Sequence, residues 1–132
     1  TWIEANTSKV QRPITGIGTG GNIGKIYELA NPGKSKGGVK QHISLAKMEE
    51  IRTFILQYDI ESRINVLMLN PDRADVIIPA SDIYISAMKF AKATKMLVPE
   101  VGLKDGLMMM LYERNKKLKG KNNFVNVNKY AK

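Results

Sequence analysis

Four groups of residues in this 132-residue chain have types and spacings that could do chemistry. The first is Gly16-Ile17-Gly18-Thr19-Gly20-Gly21. It fits the spacing G-x-G-x-x-G, in which glycines let a pyrophosphate approach a helix N-terminus. A dinucleotide fold also needs a second strand ending in Asp or Glu about twenty residues on. That region is Lys36-Gly37-Gly38-Val39-Lys40-Gln41, a basic loop. A phosphate-binding P-loop fails as well: Lys25 follows Gly24, but Thr19 stands where the first glycine belongs, and no Ser or Thr follows the Lys. What survives is a glycine turn feeding a helix N-terminus, either a tight structural turn or one competent to hold an anion or sit beside a nucleotide.

The second group is Asp72-Arg73-Ala74-Asp75. The carboxylates suit a helix N-terminus and could pair with Arg73. They lie three apart and could share a metal ion, but no His or further acid is near in sequence. The third is His42, the sole histidine, around which no Ser-His-Asp set or zinc site can be built; a surface or capping role is expected. The fourth, Met108-Met109-Met110, fits helical core or an interface patch better than a cofactor site.

These residues need elements to hold them. Pro13 to Gly18 is short, β-branched and glycine-bounded, and reads as a buried strand. Thr19 to Asn22 is a tight turn. Ile23, Ile26, Tyr27 and Leu29 have helical spacing, stopped by Asn31-Pro32-Gly33. Residues 31–41 read as a polar glycine-rich loop. Ser44 is placed to cap a helix to about Tyr58 with the stripe Leu45, Met48, Ile51, Ile55 and Leu56. Residues 60–69 read as a connection with a possible helical turn. Asn70-Pro71-Asp72 has the form of a helix start, with Pro at the first position. From Arg73 a helix is predicted, interrupted at Pro79, through Ile83, Ala87, Phe90 and Ala91 to about Ala93. Thr94 to Val98 reads as a second strand, and Asp105 to about Lys119 as a helix. Residues 1–8 look like the end of a helix already under way. The order strand, helices, strand implies a parallel pair in a helix-rich α/β fold. Two strands make no stable sheet alone, so further strands are expected upstream of Thr1.

Composition narrows the class. The chain is 43% hydrophobic and 25% charged, as ordinary folded domains are. With no cysteine there is no disulfide, thiol nucleophile or Cys-based metal site. No apolar run is long enough for a membrane helix, and the start Thr1-Trp2-Ile3-Glu4 carries no signal peptide. The net charge of +9 invites a nucleic-acid partner. However, residues 114–132 hold seven of the 21 basic residues and none of the 12 acids. The remainder is close to neutral. The excess reads as a solvated Lys/Asn-rich tail, or as a basic face for a neighbouring domain, and nucleic acid is not the expected partner.

Three segments in order resemble the exopolyphosphatase and guanosine pentaphosphate phosphohydrolase family: Gly16 to Ile23, Asp72 to Ala80, and Gly102-Leu103-Lys104-Asp105-Gly106 followed by Leu111-Tyr112-Glu113. The resemblance covers roughly residues 10–114. It departs at Pro79-Ala80-Ser81, often Pro-Gly-Gly in the family, and at Lys104-Asp105-Gly106, often Arg-Glu-Gly. The resemblance implies an actin-like ATPase superfold of two ribonuclease-H-like lobes around a cleft. Residues 1–119 would be the C-terminal part of the second lobe, and 120–132 a basic tail or linker. It implies a cytoplasmic phosphoanhydride hydrolase acting on polyphosphate or guanosine pentaphosphate with magnesium. Gly18, Thr19, Gly20, Gly21, Asn22 and Arg73 would form the phosphate- or nucleotide-binding wall. The catalytic glutamate and both phosphate loops are expected upstream of Thr1, so this piece alone is expected to be inactive. Its partners would be the missing first lobe and, through exposed sheet edge, a second copy of itself. The alternatives are a non-catalytic actin-like module that binds nucleotide or a partner, and nucleic-acid binding through the tail.

Overall fold

A computed structural model describes residues 1–10, 13–33 and 41–119, in two units divided after Glu100. The first unit is a small sheet covered by helices. Its strands are β1 (Thr15–Ile17), β2 (His42–Ser44) and β3 (Lys95–Leu97), in the order β1-β3-β2. The expected parallel pair is β1 with β3, Gly16 opposite Met96. β2 was not expected: its residues fall in what reads as loop and cap, yet it pairs antiparallel to β3, Ile43 opposite Met96. The sheet is therefore mixed. Three residues are too few for alternation to show in a sequence, and only pairing with β3 makes them a strand. Met96 and Ile43 are buried in the middle of their strands.

The helices of this unit are α1 (Trp2–Thr7), α2 (Gly21–Ala30), α3 (Leu45–Leu56), α4 (Ile60–Asn65), α5 (Pro71–Ala74) and α6 (Ile77–Phe90). In α1 the Thr1 hydroxyl accepts from the Glu4 N–H. α2 forms because Ile23 and Ile26 fall on one face, and both are fully buried. It stops at Asn31, whose amide donates to Tyr27 O (3.1 Å), one of the helix's last carbonyls. Ser44 caps α3, its hydroxyl accepting from the Lys47 N–H at 3.2 Å. Met48, Ile51 and Ile55 are buried as expected, whereas Leu56 faces solvent. α3 packs on α2 and α6, and α2 also packs on α6.

In residues 60–93 the possible helical turn is present, and the position of the helix break needs correction. The stretch after Asp59 is a helix, α4, capped by the Asp59 carboxylate accepting from the Ser62 N–H at 2.7 Å. The break in the next helix lies at Asp75-Val76, not at Pro79. Pro79 sits in the first turn of α6, where its missing N–H removes no helical hydrogen bond. The buried face of α6 is Ile77, Ser81, Ile85 and Met88, and Ile83 is 69% exposed. Ser81 belongs there because its hydroxyl donates to Ile77 O (2.7 Å) and leaves no unpaired polar atom.

The C-terminal end of α6 carries a strained residue. Ala93 N–H donates to Met88 O (2.9 Å) and Lys92 N–H to Lys89 O (3.0 Å), a Schellman arrangement. It places Lys92 at φ 53°, a left-handed position that glycine occupies without a Cβ penalty. Lys92→Gly is expected to stabilise the chain by about 0.5–1 kcal/mol, since relief of that penalty outweighs the added freedom of the unfolded chain. Chemical denaturation checks this; a lower midpoint would mean that the Lys92 side chain contributes more than its backbone costs.

α3 and α6 are also tied by charge. The Arg52 guanidinium donates from Nε and Nη2 to the two Asp82 carboxylate oxygens, the second at 3.1 Å. Glu49 pairs with Lys89 at 2.6 Å. Hydrogen bonding to Arg52 holds the Asp82 carboxyl below the usual range. The backbone hydrogen bond from Ser62 does the same for Asp59. A depressed folded-state pKa stabilises the fold above the unfolded value, and that contribution is lost as pH falls through the folded one. The melting temperature is therefore expected to fall below about pH 4. Asp82→Asn should lower the midpoint at pH 7 and flatten this acid limb. An unaltered limb would show that the pair is too well solvated to matter.

The second unit contains α7 (Leu103–Lys119). It begins two residues before the expected start, and Asp105 Oδ2 accepts from the Gly102 N–H at 2.7 Å. Met108 to Met110 lie on this helix. The tail from Gly120 onward is outside the described residues, as are residues 34–40 of the expected loop. No helix among the described residues is long and apolar enough to cross a membrane.

Candidate functional site

The glycine turn joins the end of β1 to the start of α2, and each of its glycines has its own reason. Gly18 is buried beside the central strand, its N–H donating to Leu97 O at 2.8 Å. A Cβ there would stand 2.6 Å from Met96 Sδ and 3.0 Å from Ile23 Cγ1, so only glycine lets the turn lie flat on the core. Gly20 is the N-cap of α2 with φ 104° and ψ 174°, a conformation essentially reserved for glycine. It leaves the helix without a side-chain cap. The first N–H groups of α2, from Gly21 and Asn22 onward, therefore face outward with the positive end of the helix dipole. Thr19, Gly20 and Gly21 are exposed.

Gly21 is shaped by a different neighbour. A Cβ at this position would overlap the Arg73 guanidinium, which occupies the space beside Gly21 that a side chain would take. The two sequence segments suspected of chemistry, fifty residues apart, thus meet in space. Arg73 is carried by α5, a single turn that Pro71 starts after Asn70. It is half-buried and forms no ion pair with Asp72 or Asp75, both of which are exposed. The ion-pair alternative for this cluster is therefore not what the structure holds. A guanidinium with no ion-pair partner among the described residues, set at a helix N-terminus, concentrates two positive features in one place. Such an arrangement is stabilised by an anion, above all a phosphate group that can accept from both donors of the planar fork. One residue further, Asn22 Oδ1 is enclosed and accepts no hydrogen bond from the described residues.

Among the described residues, no three His, Asp or Glu side chains assemble into a metal-ligand set. Asp72 and Asp75 point to solvent rather than to a shared centre. The N–H donors described fit an anion and not a magnesium ion. His42 lies on β2, outside this cluster.

Two residues of the site escaped sequence reasoning. Met96 lies across Gly16 and Gly18 and sets the height of the turn. Arg63, on α4, donates to the Ala74 carbonyl at the end of α5. Met96 falls in the second strand read from the sequence, but nothing there marks it as a floor for the turn. Nothing in the sequence links Arg63 to Ala74.

Comparison with known families settles the lineage. The model of the Ppx/GppA phosphatase family matches residues 2–115. The chain belongs to the Ppx/GppA phosphatase family. This is a hydrolase family, and the match spans both halves of the site. Among solved structures, the chain is similar to the crystal structure of the type II variant of the Aquifex aeolicus Ppx/GppA phosphatase. The TM-score is 0.62 at 20% identity, over 81% of this chain and 37% of that one. A second crystal structure of the Aquifex aeolicus family member superposes with a TM-score of 0.65 at 18% identity, over 93% of this chain and 40% of that one. A third, of the Aquifex aeolicus PPX-GPPA enzyme, gives 0.62 at 20% over 81% and 38%. These matches carry the fold: a helix-rich α/β Ppx/GppA unit of the actin-like ATPase class. The chain spans about two fifths of the structures it matches. No curated protein matches it in sequence.

Proposed function

We infer that this chain is part of a phosphoanhydride hydrolase that releases terminal phosphate from inorganic polyphosphate or guanosine pentaphosphate, and that it forms one wall of the cleft. The observation that carries this reading is the Arg73 guanidinium, without an ion-pair partner among the described residues, set over Gly21 at the start of α2, which has no side-chain cap. In the whole protein a water attacks a terminal phosphoryl group. Its charge is dispersed by cations and by backbone N–H groups, which need not reorganise during the reaction. Arg73 and the N–H groups of residues 19–22 hold the phosphate chain or the nucleotide on this side. A magnesium ion would supply charge neutralisation at the phosphate oxygens, but the described residues offer no ligand set to hold it. The general base belongs to the part of the fold outside this chain, so the chain by itself binds and does not hydrolyse. The outer edge of β1 has no strand beside it among the described residues. In the whole protein this edge accepts a further strand, and in isolation a second copy of the chain.

The test is Gly21→Ala. Its methyl group displaces only the far end of the Arg73 side chain, and alanine is the better helix former by roughly 0.5–1 kcal/mol. Thermal stability is expected to hold or rise slightly, while tripolyphosphate binding by calorimetry weakens about tenfold, the scale of one charge-assisted hydrogen bond. Unchanged binding with unchanged stability would remove the Gly21–Arg73 pair from the site.

A further inference from the structure

Arg73 is carried by an element that cannot hold its own position. α5 is four residues long, a single turn, and isolated turns of that length are unstable. Its N-cap, Asn70, makes no side-chain capping bond. What fixes its far end is Arg63. The Arg63 Nη1 donates to Ala74 O at 2.9 Å, and its Nε reaches Ile55 O at 3.4 Å. One guanidinium thus ties the last turn of α3 to the last residue of α5, at the negative ends of both helices, where a cation is favoured. Arg63 is itself anchored. α4 is capped by Asp59, and the Arg63 carbonyl accepts from the Leu69 N–H at 3.0 Å, just before α5 begins. Ala74, the residue it holds, is fully buried and adjacent to Arg73.

We propose that Arg63 is a positioning residue for the anion site: by clamping the Ala74 carbonyl to the end of α3, it sets where α5 presents the Arg73 guanidinium over Gly21. Arg63 does not touch the anion. Its effect on binding rests on the reading of Arg73 given above and passes entirely through Arg73. Without the clamp, α5 loses its C-terminal tie, and the guanidinium samples positions away from the helix N-terminus.

The experiment uses the full chain, sodium tripolyphosphate as probe, and the variants Arg63→Met, Arg73→Met and their combination. Calorimetry at a temperature where each is folded reads affinity, and side-chain NMR reads the contact between the Arg73 Nη–H groups and Gly21 Hα. Arg63→Met is expected to weaken binding about tenfold, to lose that contact, and to add nothing in the Arg73→Met background. Losses that multiply in the double variant, or unchanged affinity in folded Arg63→Met, would overturn the proposal. If Arg63→Met does not fold, Arg63→Lys carries the test. An ammonium reaches one carbonyl but not both, so a partial loss of about threefold is expected, and wild-type affinity would count against the clamp. If Arg73→Met itself binds normally, the functional reading fails, and the NMR contact alone decides. Its loss in Arg63→Met supports positioning, and its persistence overturns it.

Discussion

Arg73→Lys weakens binding of tripolyphosphate to the chain by roughly 10- to 150-fold while leaving its melting temperature unmoved. The factor corresponds to about 1.5–3 kcal/mol, the scale of hydrogen bonds to a charged group. Lysine keeps the positive charge but gives up the planar fork that two phosphate oxygens can accept from together. It also cannot fill the space beside Gly21 as the guanidinium does. The melt should not move, because Arg73 has no ion-pair partner to lose among the described residues and sits partly in solvent. Calorimetric titration and a melt on the same variant separate the cases. If affinity is unchanged, Arg73 is not a ligand of the phosphate. If affinity and stability fall together, the guanidinium is holding α5 rather than an anion.

The largest effect on folding is expected from Ile26→Ala. Ile26 is fully buried in α2, the helix that packs against both α3 and α6. Removing its outer carbons forfeits transfer free energy and leaves a cavity that helices fixed on two sides cannot close, a cost of about 2–5 kcal/mol. For a domain of this size each kcal/mol moves the midpoint by roughly 4–8 °C, so the variant should melt at least about 8 °C lower. Ile83→Ala is the matched control. Ile83 is 69% exposed on α6 and should change stability by no more than about 0.5 kcal/mol. Equal losses for the two variants would mean that the face of α2 or of α6 is assigned wrongly.

Local chemistry made much of this protein legible in its sequence. Ser44 had to cap α3, because a hydroxyl before an apolar stripe satisfies an N–H that the helix cannot. Ile23 and Ile26 had to be inside, because their spacing leaves one face without polar groups. The Gly18 to Gly21 turn and Arg73 could be named as site residues from their types and their family resemblance. The short strand β2, the shift of the α6 break from Pro79 to Val76, and the outward turn of Ile83 could not be read this way. Each depends on which partner a segment meets, and hydrophobic pattern carries no partner identity. Whether Arg73 pairs with Asp72 or Asp75, which stand beside it, was likewise open in sequence. Tertiary structure decided it, by carrying α5 against the start of α2 and fastening Ala74 with Arg63. That contact joins residues fifty positions apart, and no local propensity encodes a distance of that kind.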